Sequence, residues 1–189
     1  MEDTDFKGLS IHRVTEADFN DVKKFLLVDF LYNEPLNRSV SLNAEDSDAI
    51  GIASSLSYVL RAPDGEIAAL RLAAIHDRPE EEHEDQIWIL INPRVKRLVL
   101  WSVISVRKDF TRRGLAEKLL CYKLDEARQM GCQGCFAEAS AFKSQSLFEK
   151  IGYEKIHEVK HAEWLDDKGQ QIFQCDDSTD SIQLVFKPL

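Results

Sequence analysis

Apolar and polar positions alternate with two different periods along this chain, and the change from one to the other marks its elements. Leu98 to Val106 is almost continuously apolar and β-branched, broken only by Ser102 and Ser105, which predicts a strand buried on both faces. After a polar turn the period changes. Leu115, Ala116, Leu119, Leu120, Leu124, Ala127 and Met130 recur at three- and four-residue steps, with Glu117, Lys118, Lys123, Asp125, Glu126 and Arg128 on the other side. One amphipathic helix is predicted over 115–130, with Gly131 placed to end it.

Around this pair the remaining elements follow in order. Leu9 to Val14 predicts a first strand, and Thr15-Glu-Ala-Asp18 a helix start, with Phe19, Val22, Leu26 and Phe30 as its apolar stripe. That helix is expected to stop before Pro35, because a residue preceding proline is pushed out of the helical region. Residues 43–55 predict a second helix. Leu56–Arg61 and Glu66–Ile75 predict a hairpin around Pro63-Asp64-Gly65. Asp77 to Asp85 is too charged for a core element; it reads as a solvated loop, or as a negative field that draws in a cationic amine. Residues 87–97 fit either a short strand or a packed loop. Gly134–Ala139 then predicts a strand, Phe142–Ile151 a helix, and Tyr153–Val159 and Ile182–Lys187 the last strands, with 166–181 as a polar excursion between them.

Composition narrows the class. A chain of 189 residues, 44% hydrophobic, with no low-complexity linker, reads as a single domain over 1–189 with a substantial core. The charged start, Met-Glu-Asp-Thr-Asp-Phe-Lys, lacks the apolar run of a signal peptide, and no window approaches the ~18 apolar residues of a membrane span. A soluble, cytoplasmic protein is expected. A formal net charge of −9 and a pI near 5.1 argue against nucleic acid as a partner. The four cysteines do not form a secreted disulfide pattern; Cys132 and Cys135 read as reduced thiols, with a redox or metal pair as the alternative, and no histidine spacing supports a zinc site.

Locally the charge runs the other way. Between Arg107 and Arg128 seven cationic residues stand against four anionic ones, a surplus of three positive charges, which points to a bound anion at this place. The turn reads Thr111-Arg112-Arg113-Gly114-Leu115-Ala116. Small residues at 114 and 116 let the backbone approach a ligand, and the unpaired N–H groups of the helix's first turn are anion donors. A pyrophosphate would fit there.

Strand, Thr111-x-x-Gly114-x-Ala116 turn and helix resemble the acetyl-CoA motif of the GNAT superfamily of N-acetyltransferases, with threonine where glutamine or arginine is usual. Ser140 to Tyr153, containing Leu147-Phe-Glu-Lys-Ile-Gly-Tyr153, resembles the next motif helix of that superfamily. Asn33-Glu-Pro-Leu-Asn37 is similar to the Asp-Glu-Pro-Leu-Asn segment of insect-type arylalkylamine N-acyltransferases, with asparagine in place of the aspartate.

The resemblance implies an α/β (α+β) GNAT fold: a central, mixed, mostly antiparallel twisted sheet of about seven strands flanked by helices and splayed at the central strand. It implies acetyl-CoA as co-substrate, without a metal, bound by main-chain groups at Ile104, Ser105 and Val106 and by the turn from Thr111 through Arg112, Arg113, Gly114 and Leu115 to Ala116. It implies a small amine as acceptor and Glu34 as general base, since an alkylammonium with a pKa near 10 cannot attack a thioester until it loses a proton. An oxyanion donor is implied near Ile104 to Val106. Phe148 stands where many members of the superfamily carry a tyrosine acid; Ser144, with Ser140 second, is the implied replacement, beside unassisted departure of the thiolate and beside a capping role, favoured for Ser140. Acetylation of polyamines or peptide amines, and CoA binding without catalysis, are the alternative functions.

Overall fold

The computed structural model describes residue 6 and residues 8–40, 55–80 and 86–189. The helix expected over 43–55 lies almost wholly outside the described residues, as does most of the acidic stretch after Asp77.

In chain order the elements are β1 (Ser10–Arg13), α1 (Phe19–Phe25), which runs on through a π-helical turn, Leu26–Phe30, and a last turn, Leu31–Asn33, and α2 (Pro35–Ser39). β2 (Tyr58–Arg61) and β3 (Ile67–Asp77) follow, then α3 (Gln86–Leu90) and β4 (Arg97–Val106). α4 (Leu115–Cys121), α5 (Leu124–Gln129), β5 (Gly134–Ala139), α6 (Phe142–Lys150), β6 (Glu154–Lys160) and β7 (Ser181–Pro188) complete the chain. Among the described residues no helix is long and apolar enough to cross a membrane.

The seven strands form one sheet in the order β1-β2-β3-β4-β5-β7-β6. Every pairing is antiparallel except β4 with β5, as the expected mixed sheet requires. Alternation along β3 serves two cores. Leu70 and Leu72 pack with Val22, Phe25 and Leu26 of the first helix, whereas Ala69 packs with Leu115 and Leu119 of α4. On β5 and β7, Cys135, Ala137 and Val185 join Leu120, Ala127 and Phe148 on the α4–α6 face. Phe136 and Leu184 join Ile87, Trp88 and Ile91 on the other.

The continuous helix expected over 115–130 is broken. Tyr122 is extended (φ −71°, ψ 129°) and Lys123 is left-handed (φ 59°, ψ 34°), so α4 and α5 are separate helices. Arg71 accounts for the break. It sits in the middle of the apolar strand β3, fully buried. Its guanidinium donates to the carbonyls of Leu56 (3.2 and 2.8 Å), Leu119 and Tyr122 (2.9 Å), two of which lie at the break. The Trp101 and Tyr58 rings cover the same group at 4.5 and 5.1 Å. Burial pulls its pKa down to about 10, which still leaves it cationic at neutral pH. The apolar periodicity of 115–130 survives the interruption, because each half keeps its own stripe on the sheet.

Residues 87–97 resolve into neither of the expected forms. Gln86–Leu90 is a short helix and β4 begins only at Arg97; Asn92 and Pro93 end the helix, and the Arg78 side chain ties its last carbonyls, donating to Trp88 O, Ile91 O and Asn92 O at 3.0–3.2 Å. Cys132 and Cys135 are buried free thiols, and burial pushes Cys135 up to about 12.

Candidate active site

The site begins with a proline. Pro35 forces Glu34 into an extended conformation (φ −79°, ψ 121°), ending the first helix, and then serves as the first residue of α2. The chain therefore does not leave the helical path at Pro35 but restarts it, and Glu34 becomes the N-cap. Its Oε2 accepts from Asn37 N at 2.8 Å. Its Oε1 accepts from Ser140 Oγ at 2.9 Å, across 106 residues of sequence. The side chain is 9% exposed, and desolvation raises its pKa above the usual carboxylate value despite the opposing hydrogen bonds from Asn37, Ser140 and Leu36 and the nearby Arg38.

The two serines differ in their contacts. Ser144, the third residue of α6, caps that helix: its Oγ accepts from Ala141 N at 3.2 Å and donates to Ala141 O at 2.8 Å. Ser140, expected as the cap, is the one that reaches Glu34. Asp177 adds a second cap, accepting from Phe142 N at 2.9 Å. Arg38 joins α2 to the same 161–180 excursion through Asp176, at 3.0 and 2.5 Å.

Beside this carboxylate the sheet opens. β4 and β5 pair only at Val99 with Cys135 and at Leu100 with Phe136. Beyond that point Trp101–Val106 runs on without β5. A bulge places Ser102 outside the β3 register, since Leu72 pairs with Val103 and Ala73 with Trp101; the extra residue bends β4 away. Arg107 N donates to Ala68 O at 2.9 Å, so by alternation the N–H groups of Ile104 and Val106 point away from β3, into the opening. Ser105 turns its backbone toward β3 and pairs with Leu70. Of the three strand positions expected at the cofactor, two turn their main-chain N–H groups away from β3.

The turn after β4 keeps its expected shape. Lys108–Phe110 is a 3₁₀ turn, Arg112 (φ 62°) and Gly114 (φ 74°) are left-handed, and α4 starts at Leu115. Arg112 holds a conformation that glycine would adopt without cost. Leu115, Ala116 and Glu117 contribute the unpaired N–H groups of the first helical turn. Leu115 also anchors the helix in the core. Thr111, at the departed motif position, donates to Lys108 O at 2.8 Å and so braces its own turn. Arg107 pairs with Asp109 at 2.8 and 3.1 Å. Arg113 lies over Phe110 at 4.6 Å. Arg112 makes no hydrogen bond or ion pair among the described residues and is available to an anion.

Sequence reasoning missed the Glu34–Ser140 contact, the Ser102 bulge and Arg71. A lone arginine within Ile67-Ala-Ala-Leu-Arg-Leu-Ala-Ala-Ile75 is a signal for the last; the other two arise from register between distant segments.

Residues 28–153 match the family described as "Acetyltransferase (GNAT) family". No curated protein matches the chain. Among solved structures it is similar to arylalkylamine N-acetyltransferase 2 from Aedes aegypti, with 22% identity over 96% of this chain and 99% of that one and a TM-score of 0.79. It is also similar to an agmatine N-acetyltransferase, 18% identical over 96% of this chain and 100% of that one, TM-score 0.76, and to the polyamine N-acetyltransferase of Drosophila melanogaster, 18% identical over 96% and 100%, TM-score 0.73. At these identities the likenesses speak for the fold. The match across both motif blocks and the Glu34 turn makes this chain a member of the GNAT acetyltransferase family.

Proposed function

We propose that this protein transfers the acetyl group of acetyl-CoA to the primary amine of a small arylalkylamine, by direct attack in a ternary complex. The observation that carries the reading is the Glu34 carboxylate, buried and raised in pKa, held by Ser140 where β4 and β5 part. A base with a raised pKa takes a proton from an ammonium more readily than an exposed carboxylate does. Proton transfer to Glu34, directly or through water, leaves a neutral amine whose lone pair forms the new N–C bond at the thioester carbonyl. The N–H of Ile104 or Val106 receives the developing oxyanion. The C–S bond then breaks and the CoA thiolate takes up a proton; Ser140, in contact with Glu34, is better placed than Ser144 to hand one on.

Acetyl-CoA enters from the α4–α6 face, its pyrophosphate at the turn from Thr111 to Ala116 with Arg112 beside it. The amine comes from the face of the first helix, where two exposed rings flank the pair in sequence, Tyr32 before Glu34 and Phe142 after Ser140. Trp101, by contrast, is buried on the far side with Arg71 and donates to Tyr153 Oη at 2.7 Å. A polyamine is the second reading, and the agmatine and polyamine enzymes of the same fold favour it.

Release of free CoA thiol, measured with tryptamine, dopamine, spermidine and a peptide N-terminus offered separately, tests the reading. Turnover with the aromatic amines is expected. Turnover confined to spermidine or peptide replaces the acceptor, and none with any amine overturns the proposal.

A further inference from the structure

β5 carries a second acid on the face that holds Glu34. Phe136 and Glu138 alternate with Cys135, Ala137 and Ala139, so Glu138 points to the side of the first helix and α3. The register sets a row across three strands: Glu138 opposite Leu184 on β7, and Leu184 opposite His157 on β6. A depression of about 100 Å³ lies over this row, with Ile87, Phe136, Val159 and Ile182 completing its walls. Ser140, the partner of Glu34, is one pleat farther along the same strand line, about 7 Å from Glu138 at ~3.3 Å per residue.

Glu138 makes no hydrogen bond or ion pair among the described residues. Glu158, on β6, shows what a structural carboxylate looks like on this sheet. It accepts from Ser181 (2.8 Å) and Gln183 (3.2 Å) and pairs with Lys155 and Lys160 at 3.1 and 3.4 Å. Glu138 is thus an unused acceptor at one end of an apolar floor made by Leu184, with the His157 ring at the other end. A molecule whose amine lies at Glu34 and whose body runs along the line of β5 would bring a group about 7 Å from that amine to Glu138, with Leu184 beside it.

We propose that Glu138 is a specificity residue for the acceptor amine, receiving a hydrogen-bond donor, a ring hydroxyl or a second ammonium, at the end of the acceptor remote from the reacting nitrogen. The inference rests on reading Glu34 as the base that marks the reacting end. A site built to bind such a donor rejects an acceptor of the same body that lacks it.

Two matched pairs test it: tyramine against phenethylamine, and putrescine against butylamine. Binding is measured by calorimetry on the full chain saturated with CoA, and kcat/KM with acetyl-CoA, for the wild type and Glu138→Gln. The exposed site makes this exchange neutral for folding, which an unchanged Tm checks. Wild type is expected to favour the donor-bearing member of at least one pair by about 10- to 100-fold, the worth of a hydrogen bond to a charged group. In Glu138→Gln that preference falls toward unity while the plain amine is unaffected. The pair that shows it identifies the donor. A preference untouched by the substitution, or no preference in the wild type in either pair, overturns the proposal. Preference in binding without acetyl transfer keeps Glu138 and removes the acetyltransferase reading, and transfer without preference does the reverse.

Discussion

Arg71 and Glu34 lie on opposite faces of the same sheet, both withdrawn from water, and are held in different ways. Arg71 has three main-chain carbonyls and two aromatic faces. With its donors engaged and its charge spread over rings, it stays protonated and fixes where two helices part. Glu34 has the backbone N–H groups of Asn37 and Leu36, one hydroxyl and the nearby Arg38. Desolvation outweighs them, and its pKa rises toward the range where a proton can be taken up and released, whereas the same penalty leaves Arg71 far above neutral pH. Burial leaves a guanidinium charged at neutral pH and so structural, and brings a carboxylate closer to the pH at which it can exchange a proton.

The sharpest way to break this comparison is to neutralise Glu34. Glu34→Gln keeps the shape and an acceptor but not the base, and kcat should fall by about 10²–10⁴-fold. In the wild type the rate should decline as pH falls through the raised pKa of Glu34, since only the carboxylate accepts a proton, and the variant's residual rate should lose that acid limb. Stability runs the other way. A group with a raised folded pKa contributes stability that is present below its unfolded value and is lost as pH rises through the folded one. Chemical denaturation should therefore find Glu34→Gln more stable than wild type above that pKa, with the gap closing in acid. A variant that loses stability at every pH, or keeps full activity, contradicts the assignment.

Arg71→Met should show the opposite profile. It leaves the carbonyls of Leu56, Leu119 and Tyr122 short of a donor in the core, and urea unfolding should register a loss of about 3–5 kcal/mol. Its acid limb in the rate profile should stay where it is, because Arg71 does not face Glu34.

The smallest effect separates the two serines. Ser140→Ala removes a hydrogen bond that lowers the Glu34 pKa, so the acid limb should move to higher pH with little change in Tm. Ser144→Ala removes a helix cap, costing about 1 kcal/mol, and should leave the limb in place. The same shift in both would show that Glu34 does not distinguish its contact from a neighbour.

Legibility in the sequence followed the range of the interactions. The turn from Thr111 to Ala116 was readable because Gly114 and the change of period act within a few residues. The break at Tyr122 and Lys123 was not, because nothing in 115–130 signals it; the cause is a guanidinium on β3. Residues 87–97 were read as a short strand or a packed loop, and the helix was missed for a related reason: five apolar residues show no period of their own, and Arg78 supplies the donors that close a helical end.

Glu34 divides the two kinds of information. Pro35 alone determines that the helix stops at Glu34, since the proline ring excludes helical backbone before it; the structure adds that a new helix starts there with the Glu34 carboxylate as its cap. Likewise the order of the strands, the left-handed turn at Gly114 and the acetyltransferase resemblance were fixed by local patterns. Only the tertiary structure decided that Ser140 rather than Ser144 meets this carboxylate, that β4 and β5 part beside it, and that Glu138 shares its face. Those facts depend on register and packing between segments up to 106 residues apart, and the energies that select them, burial and hydrogen-bond satisfaction, exist only once the core has closed.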